Sequence, residues 1–121
     1  MNNVSYQTVR RGELYWLDWS PGRGSEQTGM RPGLVVQENP ASANPNYHLT
    51  IVVAVSTKGR EVPSHVFVVP TKQNGLASES YIKCEQIQTV SKDRLDRFIG
   101  ELDPEDLEKV DEALSRVLHL N

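Results

Sequence analysis

Cysteine is almost missing: Cys84 is the only one in 121 residues. A lone thiol excludes an internal disulfide framework and any multi-cysteine zinc site. Histidine is nearly as scarce. His48, His65 and His119 share no metal-ligand spacing, so neither a bound metal nor a cofactor is expected. No apolar run approaches the ~20 residues needed to cross a bilayer, so no membrane association is expected. The opening Met1-Asn2-Asn3-Val4-Ser5-Tyr6 lacks a basic segment followed by an apolar one, and the expected location is the cytoplasm. There is no Walker loop. Gly22-x-Gly24 does not open a helical pattern, so it is no dinucleotide fingerprint. No Ser/His/Asp arrangement stands out.

A basic excess is missing too. The net charge is −3, which at face value argues against nucleic acid. The distribution tempers that. Residues 91–121 carry five Lys/Arg and nine Asp/Glu, whereas residues 1–90 carry eight and seven. The acid is concentrated in the C-terminal quarter, and a near-neutral body can still bind RNA through a local cationic site.

What is present suits one domain over residues 1–121, long enough to fold without staples. Leu14 to Trp19 reads as a first strand with large side chains on both faces. Ser20 to Gly29 holds three glycines, a proline and small polar residues, and reads as a loop. Gly33 to Gln37 is expected as a second strand, Pro40 to Asn46 as a second loop. Leu49 to Val55 is nearly continuous in β-branched residues and is expected to be central and buried on both faces. His65 to Val69 is a fourth strand, Asn74-Gly75 a turn, and Tyr81 to Val90 a fifth strand or a bent pair. Ser91 to Arg97 allows a short helical turn. The period then changes. Asp103 suits an N-cap and Pro104 the first helical position, and Leu107, Val110, Leu114, Val117 and Leu118 recur at helical spacing. Strands followed by one helix imply the α+β class, as a compact, partly open antiparallel barrel.

Three constellations carry polar chemistry. The loop Gly22 to Gly29 with Arg31-Pro32 offers backbone N–H groups and a guanidinium fork that matches phosphate oxygens. Glu26 there can take a proton or hold the arginine. Ser56-Thr57 ends the most hydrophobic strand, and Lys58 and Arg60 follow. Hydroxyls at a strand exit can bond a phosphate or a sugar. Glu85-Gln86 interrupts the apolar side chains Ile82, Cys84 and Ile87, and a glutamine amide can pair with a base edge. Taken singly, each has an ordinary explanation that is the stronger one: a hairpin loop, a strand stop, an exposed strand face. His65 reads as a half-buried structural residue.

Together the segments resemble a known family. Arg11-Gly12-Glu13-Leu14-Tyr15-Trp16-Leu17-Asp18, Pro21, Gly24-Ser25-Glu26-Gln27, Arg31-Pro32 and Leu34-Val35-Val36-Gln37 are similar to the opening of MazF/PemK/Kid-type toxins. Val53-Ala54-Val55-Ser56-Thr57, Pro63-Ser64-His65-Val66, Glu85-Gln86-Ile87-Gln88-Thr89-Val90 and Val110-Asp111-Glu112-Ala113-Leu114 continue the match to about Leu120.

The resemblance implies an SH3-like barrel with an attached helix, a homodimer, and metal-independent, sequence-specific cleavage of single-stranded messenger RNA. It also implies neutralisation by a MazE-like antitoxin whose disordered tail covers the RNA groove. It maps catalysis to Arg31 and Ser56, with Thr57 as the alternative hydroxyl. Glu26 is the candidate base or arginine clamp. Ser25, Gln27, Thr57, Lys58, Glu85 and Gln86 map to RNA contact. Family members often carry threonine where Ser56 stands; serine keeps the hydroxyl but lacks the methyl that fixes its rotamer. Trp16, Trp19 and Tyr47 are candidate base stackers, though aromatic residues are more often core. Leu14 and the C-terminal helix are candidates for subunit contact. Two readings remain beside the nuclease: a toxin of the same fold aimed at a protein such as a topoisomerase, and a non-catalytic nucleic-acid-binding barrel.

Overall fold

The computed structural model describes residues 6–120, so Met1 to Ser5, examined above for a leader, lie outside the described residues. Six strands form one antiparallel sheet: β1 (Glu13–Asp18), β2 (Met30–Val35), β3 (Leu49–Ser56), β4 (His65–Val68), β5 (Ser80–Ser91) and β6 (Leu95–Glu101). Their spatial order is β4-β5-β3-β2-β1-β6. Among the described residues there are also two α-helices, a short α1 (Asn39–Ser42) and a terminal α2 (Pro104–Val117). This is the expected α+β class, with a barrel-like but unclosed sheet.

The sheet is apolar on both faces, and strand alternation explains how. Leu14, Leu34, Val53 and Val55 join one core cluster, which also takes Val110 and Ala113 from α2. Tyr15, Leu17, Val35, Val52 and Ala54 point the other way and join Val9, Trp19, Val90 and Leu95. β3 thus feeds both clusters, and Val52 to Val55 are fully buried. Leu14 is fully buried as well, so it is a core residue and not a subunit-contact candidate.

Several expectations are corrected. The second strand starts earlier, at Met30, and Val36 and Gln37 continue past its end by donating their amides to the Ile51 carbonyl. The 40–46 loop contains α1. Pro40 supplies a helical φ, and the buried Lys92 ammonium reaches the closing carbonyls, donating to Ala41 O (3.3 Å) and Asn44 O (2.9 Å). Burial pushes the Lys92 pKa down. The helical turn expected over 91–97 shrinks to a 3-10 turn at Lys92–Arg94. β6 then begins, a strand the periodicity concealed because Asp96, Arg97 and Phe98 are all exposed on a sheet edge. Trp19 is core: its indole Nε1 donates to Arg31 O (3.2 Å). α2 stops at Val117, and Leu118 is exposed beyond it. Asp103 holds the N-cap position, but its carboxylate accepts from Thr71 Oγ1 (2.8 Å) and not from a helix amide.

Candidate active site

The local sequence brings two strand ends to one place. Gly33 of β2 faces Ala54 of β3 in the ladder. Two residues further along lie Arg31 and Ser56, so the antiparallel register carries both to the same end of the strand pair. Both line a groove of about 450 Å³, with Trp16, Met30 and Thr57 beside them. The far wall is the segment Gly75 to Ser78. Buried Asn74 shapes that wall. Its Oδ1 accepts from the Thr71 and Leu76 amides (3.0 Å each), and its Nδ2 donates to Val69 O (2.9 Å). Gly75 takes a φ of +67°, and a Cβ there would meet Ile99 O at 2.2 Å. Only glycine satisfies both demands.

Arg31 is exposed in the groove. Its Nη1 donates to its neighbour's carbonyl, Met30 O (2.9 Å), and the rest of the fork makes no hydrogen bond or ion pair among the described residues. Ser56 Oγ accepts the Lys58 amide (3.1 Å). That bond occupies an acceptor site and leaves the hydroxyl proton available to donate. It also supplies an orientation that the missing methyl of threonine would otherwise give. Thr57 and Lys58 are exposed beside it.

The other candidates gather elsewhere. Glu26, Gln27, Glu85 and Gln86 line a second depression of about 350 Å³, with Trp19 at its back. Glu26 Oε1 accepts the Arg23 amide (2.8 Å), closing its own loop. The pairing with Arg31 allowed by the sequence is not formed among the described residues. Gln86 holds the loop from the opposite side: its Oε1 accepts the Gln27 amide (2.7 Å) and its Nε2 donates to Ser25 O (3.1 Å). Its amide thus pins the loop, and these two bonds leave one of its N–H groups and one oxygen lone pair unused. A bulge in β5 makes this possible. Val53 faces Ile87 but Ala54 faces Lys83, so Cys84, Glu85 and Gln86 leave the ladder with β3. The bulge also turns Glu85 to His65, whose Nε2 lies 3.0 Å from the carboxylate. His65 Nδ1 accepts the Arg60 amide (3.0 Å), which puts the proton of a neutral ring on Nε2, donating to Glu85. No sequence spacing announced this pair. Cys84 is buried at the bulge, and burial together with the nearby Glu85 charge pushes its thiol up to about 12. It is an inert core side chain.

Among the described residues, no carboxylate, imidazole or thiol lines the Arg31–Ser56 groove. It offers a guanidinium, hydroxyls and an indole, which suits an anion flanked by flat rings.

The sequence profile described as the PemK-like, MazF-like toxin of type II toxin–antitoxin systems matches residues 10–118. The chain belongs to this toxin family. The toxin is 38% identical over 112 residues to Endoribonuclease EndoA of Bacillus subtilis (strain 168), covering 93% of this chain and 96% of that one. Among solved structures it resembles an endoribonuclease in complex with its cognate antitoxin from Mycobacterial species, with a TM-score of 0.77 at 25% identity. That match covers 94% of this chain and 98% of the other. MazF of Deinococcus radiodurans shares the fold at a TM-score of 0.75 and 23% identity, over 93% and 97% of the two chains. No described helix of the toxin is long and apolar enough to cross a membrane.

Proposed function

We propose that the toxin is an endoribonuclease that cuts single-stranded RNA, chiefly messenger RNA, in the groove between Arg31 and Ser56. The observation that carries the reading is that one exposed guanidinium, with most of its fork unbonded, and one oriented hydroxyl share that groove.

RNA carries its own nucleophile. The 2′-oxygen bonds to the neighbouring phosphorus, and the bond from phosphorus to the 5′-oxygen breaks. The 2′-hydroxyl gives up a proton and the departing oxygen gains one. The products are a 2′,3′-cyclic phosphate and a 5′-hydroxyl. Arg31 stabilises charge on the non-bridging oxygens and on the leaving oxygen, which takes its proton from water; with a pKa above ~12 the guanidinium is no free base. Ser56 donates its hydroxyl to the phosphate and orients it. Glu26, tied to the Arg23 amide beside the other depression, closes the loop in this reading, and the 2′-proton passes to water in the open groove. Trp16 in the groove is the stacking platform for a base. Ser25, Thr57, Lys58, Glu85 and the remaining N–H of Gln86 are the side-chain groups available for RNA contact.

The toxin works in the cytoplasm, as a homodimer held in check by a cognate antitoxin. Exposed apolar side chains at Met30, Phe67, Phe98 and Leu118 offer contact area for a second copy and for the antitoxin. The test is incubation of the purified protein with a long RNA in EDTA, followed by end mapping. Cleavage leaving cyclic phosphate and 5′-hydroxyl ends is expected. Intact RNA, or cleavage abolished by the chelator, refutes the reading.

A further inference from the structure

Pro32 sits inside a central strand, where a proline removes a ladder hydrogen bond. Strand parity says which one. Val36 N–H donates to Ile51 O, so the even-numbered residues of β2 turn their backbone groups toward β3. The ladder pairs Leu34 with Val53, so its next even member is Pro32 opposite Val55. Val55 O therefore faces a residue with no N–H to give. The structure fills the gap from another direction. Gln27 Nε2 donates to Val55 O (3.0 Å) and to Pro32 O (3.2 Å).

We propose that Gln27 is a positioning residue whose amide replaces the backbone donor Pro32 lacks, and so sets the spacing of Arg31 and Ser56. The two carbonyls it joins belong to the residues immediately beside that pair. The inference rests on the reading of that groove as the cleavage site.

Gln27 is itself held at a fixed place. Its own N–H donates to Gln86 Oε1 (2.7 Å), and the loop packs so closely that a Cβ on Gly22 would meet Gln27 O at 2.8 Å. On the β1 side, Trp19 Nε1 grips Arg31 O (3.2 Å). Successive carbonyls at Arg31 and Pro32 are thus clamped from opposite sides by two side chains. Without the Gln27 amide, Val55 O has no ladder partner and the β2 and β3 ends can splay. The groove would persist, but its two functional groups would drift apart, and small displacements of that kind are costly to a phosphoryl reaction.

The experiment compares wild type, Gln27→Met and Gln27→Met/Pro32→Ala on one RNA substrate. Methionine keeps the length and removes the donor; alanine at 32 returns an N–H at the ladder position. Gln27→Met should lose about 100-fold in kcat, the cost of a misplacement of about 1 Å. Its KM should stay within about threefold, because phosphate and base contacts survive. The double variant should regain at least about tenfold of the lost kcat. A Gln27→Met protein as fast as wild type overturns the inference, and so does a double variant no faster than the single one. If Gln27→Met fails to fold, the double variant decides alone: folded and cutting supports the inference, unfolded or inert overturns it. Wild type that leaves RNA intact overturns the nuclease reading and this inference with it. Wild type that cuts beside an unimpaired Gln27→Met overturns this inference only.

Discussion

Arg31 and Ser56 lie two residues beyond the register partners Gly33 and Ala54, at the same end of neighbouring antiparallel strands. Backbone pairing carries both side chains to that end, and the Gln27 amide joins the strands over the last, unpaired step beside them. A site built on strand ends inherits the rigidity of the sheet.

Removing the fork should be severe. Arg31→Ala is expected to cost on the order of 3 kcal/mol in the barrier, the penalty for losing one preorganised donor. Arg31→Lys should recover little, because a point charge does not reproduce the planar fork. Ser56→Thr should retain activity, since the Lys58 amide still orients the oxygen. Single-turnover cleavage of a defined RNA measures all three. An active Arg31→Ala protein would remove the central claim.

Glu26 separates two roles cleanly. Glu26→Gln keeps an oxygen to accept the Arg23 amide but cannot take a proton at neutral pH. If the carboxylate only closes the loop, the glutamine variant should cleave within about threefold of wild type, while Glu26→Ala falls further. A glutamine variant as dead as the alanine variant would return Glu26 to proton transfer.

Asn74 should be a stability residue. Its side chain makes three hydrogen bonds while fully buried, each worth about 1 kcal/mol, so Asn74→Ala should cost about 2–4 kcal/mol in urea unfolding. Loss under about 0.5 kcal/mol, the range of an ordinary surface change, would show that the groove wall does not depend on it.

Acid sensitivity has a named contributor. The Asp18 carboxylate accepts the Ser20 amide (2.9 Å), and that bond, with Arg94 nearby, holds its pKa below the ordinary aspartate value. A lowered folded pKa stabilises the protein above the unfolded value of about 4, and the gain is lost as pH falls through the folded value. Asp18→Asn should therefore be less stable than wild type at neutral pH, with the gap closing as pH falls below the ordinary aspartate range. Thermal melts across that range measure it, and a constant gap would reject the assignment.

Much of this was legible in the chain itself. Runs of β-branched and aromatic residues gave away β1 and β3 because their side chains are buried on both faces, and the 3.6 period exposed α2 because its stripe packs on the sheet. β6 was hidden because an edge strand buries little and its exposed positions carry Asp96, Arg97 and Phe98. Arg31 was visible beside a glycine-rich loop and Ser56 at a strand exit, and the ordered segments around them carried the family resemblance.

By itself, then, the sequence determined the class, the chemical groups and most of the elements, β6 and α1 excepted, because these follow from local periodicity and residue type. Only the tertiary structure decided which groups meet. It took Glu26 to a different depression, pinned a loop with the Gln86 amide, buried Lys92 under α1, and set the Gln27 amide where Pro32 leaves a carbonyl unpaired. These contacts join residues far apart in the chain through ladder register and a strand bulge, and neither leaves a local pattern in composition or spacing.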